Sequence, residues 1–382
     1  MKLNKQLKLV RFPAFVVMFA LVLSFFSACK KELPTVVPAE KMKAIYEEVK
    51  TPFKYGLIMV PDSNKYKMDC PTVFRKEDKW VMTYIVFDGR GYETWLAESD
   101  NLLDWETKGK IMQFTDTTDW DSNQKAGYPS LIDYNWGETP TINQFDGKYW
   151  LSYFGGNSQG YEKGLLSLSI GYTEDDPATV HDWQRIGHPV LSSKDEDARW
   201  YDNSTMYKCS VIEDKEKLTG HRFVMYYNAR GDSINPDRGA ERISMAVSDD
   251  MVNWKRFGNE PLVNHHKGIS GDAVIQKIGD VYVMFFFRAN WPNGKTVVYN
   301  SFYCSYDLMH WTEWDGPYLI EPSETYDNLF AHKAYVIKHD GVVYHFYNAV
   351  DKLGNRGIAL ATSKDLGKSS VTFKSTEESE IK

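Results

Sequence analysis

A repeated unit constrains this chain more than any other feature. Two β-prone runs are joined by a polar turn. The first copy is Asp69-Cys70-Pro71-Thr72-Val73-Phe74, the turn Arg75-Lys76-Glu77-Asp78, and residues 79–87, rich in Trp, Tyr, Val and Phe. Later copies begin at Glu138, Asp202, Asp272 and His332, so the unit recurs roughly every 60 to 70 residues. A second marker keeps the same phase. It is Ser99-Asp100-Asn101-Leu102-Leu103-Asp104-Trp105, then 173–183 ending on Trp183, then Ser248 to Trp254, then Ser305 to Trp311. The fifth copy, Ser363-Lys364-Asp365-Leu366-Gly367, lacks the tryptophan. Two markers in phase over five copies identify a repeat architecture. Each copy reads as four short strands rich in aromatic and β-branched residues. Four-stranded sheets repeated radially are propeller blades. The expected fold is all-β, a five-bladed β-propeller.

Ahead of the repeats stands a targeting segment. Lys2, Lys5, Lys8 and Arg11 form a basic start, residues 12–26 are apolar, and Ser27-Ala28-Cys29 closes the run with small residues before a cysteine. That order is a secretory signal, and it resembles a bacterial lipoprotein signal with Cys29 as the lipidated first residue. The expected organisation is a signal over 1–28, a lipidated tether over 29–40 and a propeller domain over 41–382. The expected location is the cell envelope, in the outer membrane. Ala39 to Val49 has helical spacing of Met42, Ile45 and Val49. Tyr55 to Val60 reads as a strand, and competes with Ser369 to Phe373 for the outer place in the last blade; the C-terminal segment is favoured. Losing the four basic residues of 1–28 takes the full net charge of −7 to −11. That balance argues against nucleic acid as a partner. The remaining Cys70, Cys209 and Cys304 are odd in number and fall in different blades, so buried free thiols are expected rather than a disulfide framework.

Propeller geometry turns the repeat into a site map. The inner strand of each blade runs along the central channel. The five leading residues, Asp69, Glu138, Asp202, Asp272 and His332, are therefore expected to ring the channel mouth as catalytic groups. The connections 87–92, 155–164, 228–242, 288–295 and 348–357 are expected to surround them. Carboxylates facing one channel raise one another's pKa. A cleft with one ionised and one protonated carboxylate has what glycoside hydrolysis requires. An aspartate ahead of a strand also caps turns, so each carries that reading beside the catalytic one. Arg199, Arg230, Arg288 and Lys333 bring positive charge to the same face, to neutralise the carboxylates or to bind a uronate, sulfate or phosphate. Trp136, Trp200 and Trp291 fall in segments where an exposed indole stacks on a sugar ring. Asp88, after the second run, is a further substrate-binding candidate. Aromatics are 15% of the sequence, and most must fill the seams between blades, so an aromatic residue alone is no sugar platform. No Cys-x-x-Cys, His-Glu-x-x-His or phosphate-cradling glycine motif is present, so neither cofactor nor metal is expected. His265-His266 reads as a solvated turn.

Over about residues 50–375, the sequence resembles the five-bladed propeller glycosidases. The likeness rests on the acidic residues before inner strands, the Gly147-Lys148-Tyr149-Trp150 type of second strand, and the Ser-Asp-x-x-x-x-Trp turns. That group includes the arabinanases and xylosidases of family 43, the neoagarobiosidases of family 117 and the mannoside phosphorylases of family 130. The resemblance implies a glycoside hydrolase, exo-acting on plant or algal oligosaccharides. By position it implies that Asp69 matches the general base of the family 43 type. Glu138 stands where that type has an aspartate that tunes pKa. The Glu-Gly-Pro context of that type's acid is absent from this sequence. His332 with Asp272 resembles the late histidine acid of the neoagarobiosidase type. Two other readings stand beside hydrolysis: a glycan-binding lipoprotein without catalysis, and a glycoside phosphorylase. The expected partners are an oligosaccharide and, through Cys29, a membrane.

Overall fold

The computed structural model describes residues 33–231 and 240–374. Its strands pair into five antiparallel units of four. Blade one is β2 (Lys67–Lys76), β3 (Lys79–Phe87), β4 (Tyr92–Ser99) and β5 (Glu106–Met112). Blade two is β6 (Gln124–Pro129), β7 (Tyr149–Gly156), β8 (Ser167–Thr173) and β9 (Gln184–Arg185). Blade three is β10 (Thr205–Glu213), β11 (Phe223–Arg230), β12 (Glu241–Ser248) and β13 (Lys255–Arg256). Blade four is β14 (Ile269–Ile278), β15 (Val281–Asn290), β16 (Val297–Ser305) and β17 (Thr312–Glu313). Blade five is β18 (Phe330–His339), β19 (Val342–Val350), β20 (Arg356–Thr362) and, from the other end of the sequence, β1 (Phe53–Met59). The inner strands pack in a ring: β18 lies between β2 and β14, β10 lies between β14 and β6, and β6 closes onto β3 and β4.

The closure differs from expectation. β1 pairs with β20, from Phe53 opposite Thr362 to Met59 opposite Ile358. The C-terminal segment lies outside β1, touching it through a bridge between Leu57 and Val371. The reason is apolar content. Leu57, Ile58 and Met59 are buried in the ring, whereas Val371 stays exposed. Burying three such side chains is worth about 1.5–3 kcal/mol each, and the run Ser369 to Phe373 has no comparable set.

The second sequence marker has a local cause. Ser99 Oγ accepts the amides of Asn101 and Leu102 at 3.1 and 2.9 Å. Asn101 Oδ1 accepts those of Leu103 and Asp104 at 2.9 Å each, and the Trp105 indole donates to the Leu102 carbonyl at 3.0 Å. The same turn recurs at Ser248–Trp254 and Ser305–Trp311. In each, the apolar residue is left-handed, with φ of 66° at Leu102, 67° at Met251 and 68° at Leu308. That conformation costs roughly 1–2 kcal/mol per residue. The hydrogen bonds of the turn and burial of the apolar side chain offset it.

The helix α1 (Ala39–Val49) forms where its spacing predicts and buries Met42, Ile45 and Val49. Its Glu48 accepts the Trp136 indole at 2.8 Å and pairs with Lys338, and its Lys41 pairs with Asp280. Asp280 and Lys338 stand at the β14–β15 and β18–β19 ends, so α1 covers the end of the ring away from the starts of the inner strands. The expected tether over 29–40 overlaps the start of α1 at Ala39. Val37 is already buried, and its amide donates to Thr312 Oγ1 at 3.0 Å. Cys29 lies outside the described residues. Cys70, Cys209 and Cys304 are free and buried, as expected.

One further feature of the ring sets up the site. In β2, β10, β14 and β18 the register slips between Asp69 and Thr72, Met206 and Cys209, Gly271 and Val274, and His332 and Tyr335. Each slip is a β-bulge, with two residues on the inner strand against one on its neighbour. Bulges turn side chains out of the pleat and concentrate next to active sites. Cys70, Asp272 and Lys333, just inside three of them, are left-handed, with φ of 55°, 61° and 59°.

Candidate active site

The bulges place a band of polar side chains at the start of the inner strands, and a cavity of about 240 Å³ opens above it. Cys70, Lys208, Asp272, His332 and Lys333 come from the bulged strands and form the floor. Tyr161, Glu162 and Trp291 from connections after the second strands, with Arg230, Glu241 and Arg356 from the strand ends that flank them, form the walls.

The floor is tied down by charge. Asp69 is fully buried behind the lining; its Oδ2 accepts from Arg356 at 2.6 Å, and Lys333 Nζ stands 3.7 Å from its Oδ1. Burial alone would raise this carboxyl, but Arg356, Lys333 and His332 bring it below the usual aspartate value. Asp272 accepts the Asn228 side-chain amide at 2.7 Å, with Cys70 Sγ at 3.5 Å and Lys208 Nζ at 3.9 Å. Burial pushes the Cys70 thiol up to about 12, so it is not a nucleophile at neutral pH. His332 leans edge-on to Phe287, with ring centres 5.2 Å apart. Burial, reinforced by Lys333 and Arg356, lowers it to about 3. Burial beside two cations thus disfavours the charged, proton-donating form of His332.

The walls supply a different pair of carboxyls. Glu241 opens β12 and is 8% exposed; its Oε1 accepts from Arg230 Nη2 at 2.6 Å. Burial raises it to about 7, against the pull of Arg230 and with a further push from the charge of Glu162. Glu162 stands in the β7–β8 connection, 3.5 Å from the Tyr92 hydroxyl. Burial raises it too; Lys333 and Arg356 draw it down, and Asp69 and Asp272 push it up. Arg356 also donates to the Tyr161 hydroxyl at 3.1 Å, and Lys67 Nζ sits 4.0 Å over the Tyr161 ring. Two carboxyls, both raised by burial, face one cavity, and glycoside cleavage uses a carboxyl pair as acid and base.

The expected residues divide accordingly. Asp272, His332, Arg230, Trp291 and Lys333 line the cavity, and Trp291 is 48% exposed at its rim. Asp69 stands just behind it. Glu138 is exposed and bonds Asn135. It lies at the other end of the ring, because 130–142 is an excursion that reaches the bottom turns: Pro140 accepts the Arg75 amide and Lys277 accepts the Trp136 amide. The true inner strand of blade two is β6. Trp136 therefore packs on Phe285 and α1 rather than meeting sugar. Asp202 is fully buried away from the cavity, bound to Arg256 Nε at 2.7 Å and the Tyr227 hydroxyl at 2.8 Å. Trp200 packs under Arg242 and against Tyr201. Arg288 is 8% exposed beside Ser270, outside the lining. Asp88 Oδ1 accepts the Arg90 amide, a turn role. His265 is not a solvated turn residue: it bonds Ser270 and Glu313. Sequence reasoning named the connections bearing Glu162, Glu241 and Arg356 without singling out those residues. The available signal was an acidic residue in the connection after the second strand of two successive blades.

Solved structures bear on this geometry. One, described as a complex of BT0996 with RGII, is 50% identical over 89% of this protein and 99% of its own length, with a TM-score of 0.86. Another, described as "Glycoside hydrolase", is 49% identical over the same shares, also with a TM-score of 0.86. This protein belongs to the β-propeller glycoside hydrolases. A thermostable family-43 glycoside hydrolase shares the fold at 15% identity, over 81% of this protein and 95% of its own length, with a TM-score of 0.54. No family model and no curated protein matches the sequence.

Proposed function

We propose that this glycosidase is exo-acting, and that Glu241 is its general acid and Glu162 the ionised carboxylate that drives attack on the anomeric carbon. The observation that carries this is the pair itself: the two wall carboxyls are both raised, Glu241 to about 7, above one closed floor. Glu241 holds its proton on the oxygen that Arg230 does not occupy and passes it to the leaving glycosidic oxygen. Arg230 then stabilises the carboxylate left behind. Asp69 takes a positioning role, holding Arg356 and Lys333 towards the sugar. A floor sealed by buried Cys70, Lys208 and Asp272 favours one terminal sugar ring over a glycan threaded through.

The RGII glycan named for the 50% identical structure is the first substrate to try. A digest followed by chromatography should release one monosaccharide from the first time point, at a rate indifferent to inorganic phosphate. Internal fragments early in the digest would contradict exo action. Formation of a sugar 1-phosphate would make the protein a phosphorylase.

We also propose that the protein sits in the cell envelope, held by lipid on Cys29; the basic start, apolar run and Ser27-Ala28-Cys29 ending support this. Mass spectrometry of the envelope fraction should find an acylated cysteine at that position. Unmodified protein in the cytoplasm would contradict it.

A further inference from the structure

We propose that Trp291 is the platform for the sugar on the leaving side of the cleaved bond, and so determines which glycans are accepted beyond the terminal unit. This role rests on Glu241 being the general acid. Its place follows from strand register. Glu241, the first residue of β12, pairs with Ile269 of β14, and Ile269 pairs with Ala289 of β15. Neighbouring strands lie about 4.8 Å apart, so the three form a row two strand spacings wide. All three line the cavity. Trp291 follows Ala289 by two residues, just past the end of β15, and lines the same cavity. Side chains two apart along a strand share a face. Glu162 comes from blade two and leans on the Tyr92 hydroxyl of blade one. Around the ring the order is therefore Glu162, Glu241, Trp291. An acid must reach the leaving oxygen, while its partner carboxylate serves the anomeric carbon. The leaving sugar then lies on the side of Glu241 away from Glu162, over Trp291.

Exposure points the same way. Trp291 is the one exposed tryptophan among the described residues. The other aromatic side chains of the lining are buried or, like Tyr161 and Phe330, half-buried. A terminal sugar enclosed by the pocket meets those buried rings. The rest of the glycan leaves through the mouth, where only an exposed ring can meet it. The indole is held on a short turn. Pro292 follows it directly, with its φ fixed by the ring, and the Lys295 amide donates to the Pro292 carbonyl at 3.0 Å. An exposed indole face gains by covering an apolar surface, and its π-face suits the C–H face of a sugar ring. The ligand class for this rim is therefore a second sugar ring that offers a C–H face, rather than a small non-sugar aglycone.

The test compares two substrates on the intact protein. One is the glycan trimmed in the digest above. The other is the glycosyl fluoride of the monosaccharide released, in the same anomeric configuration. The fluoride fills the terminal place, but its one-atom leaving group does not reach Trp291. The quantity read is the ratio of kcat/KM on the glycan to kcat/KM on the fluoride. Trp291→Ala should lower that ratio by about tenfold, the order of one aromatic stacking contact, with most of the change in KM for the glycan. Trp291→Phe keeps a ring and should keep most of the ratio. An unchanged ratio in Trp291→Ala overturns the proposal, whether both substrates hold their rates or both lose equally. Equal loss would put the indole on the terminal sugar instead. A Trp291→Phe ratio as low as that of Trp291→Ala overturns stacking as the cause. Failure here leaves Glu241 in place, because both of its carboxyl partners are wild type in these variants. Failure of Glu241 as the acid shows instead as a Glu241→Gln enzyme that still cleaves the glycan at a near-normal rate.

Discussion

Glu241→Gln lowers kcat on an unactivated oligosaccharide by about 10²–10⁴-fold, the usual worth of one general acid or base, and leaves the fold intact. Glutamine fills the same space and still accepts from Arg230, but it has no proton to give. A substrate with an activated leaving group needs little protonation, so on it the Glu241→Gln loss shrinks. Glu162→Gln loses activity on both substrates, because its role is at the anomeric carbon. The pH profile follows from the same pair. Glu241 must be protonated, so kcat/KM falls as pH rises through about 7. Glu162 must be ionised, so the acid limb lies above the ordinary glutamate value. The sign for stability is also set. Glu241 has a folded pKa above its unfolded one, so its contribution is full below the unfolded value of 4.5 and is lost as pH rises through about 7. A wild-type profile flat between pH 5 and 9, or a Glu241→Gln enzyme of near-normal activity, would remove Glu241 from the chemistry.

Arg256→Met destabilises the protein by about 3–5 kcal/mol, the cost of leaving a buried charge without its partner. Arg256 and Asp202 are both buried, and Arg256 is the cation that Asp202 meets among the described residues. Asp195 and Asp197 also lean on Arg256, at 3.1 and 2.6 Å, so three carboxylates lose one guanidinium. Asp202→Asn loses less, because the amide keeps the Tyr227 hydroxyl as a partner and carries no charge. Denaturant midpoints measure both changes. Activity per folded molecule should stay near wild type in each, since the cluster sits away from the cavity. A hundredfold loss of activity in Asp202→Asn at unchanged stability would return Asp202 to the catalytic set.

The blades were legible because their markers are local. Ser99, Asn101, Leu102 and Trp105 make one turn within seven residues, and the same hydrogen bonds recur in blades three and four. Blade two was misread because Glu138 precedes a β-like run, whereas its inner strand is Gln124–Pro129, led from three residues ahead by Asp121 as β10 is by Asp202. What sends 130–142 to the far end is contact with Arg75, Lys277 and α1, which no window of sequence contains. The leading aspartates were found, but not their surroundings. Asp69 is held ionised by Arg356, which lies 287 positions along the sequence, and Asp202 is hydrogen-bonded by Arg256, 54 positions on. Glu162 lies in a connection and Glu241 at the first position of β12, neither marked by periodicity, and only the closed ring brings them to one cavity. The bulges that aim Asp272 and Lys333 into it are one-residue slips within otherwise regular strands. The first of the four bulges carries Pro71, whose missing N–H a bulge tolerates.

The most direct measurement is a crystal structure of Glu241→Gln with an uncleaved oligosaccharide. The terminal sugar should fill the channel-mouth cavity, with the scissile oxygen about 2.6–3.2 Å from the side chain at 241, as a proton donor requires, and the anomeric carbon turned towards Glu162. A sugar bound with its scissile oxygen beyond reach of both glutamates, or nearest to Glu138 or Asp202, would contradict the account.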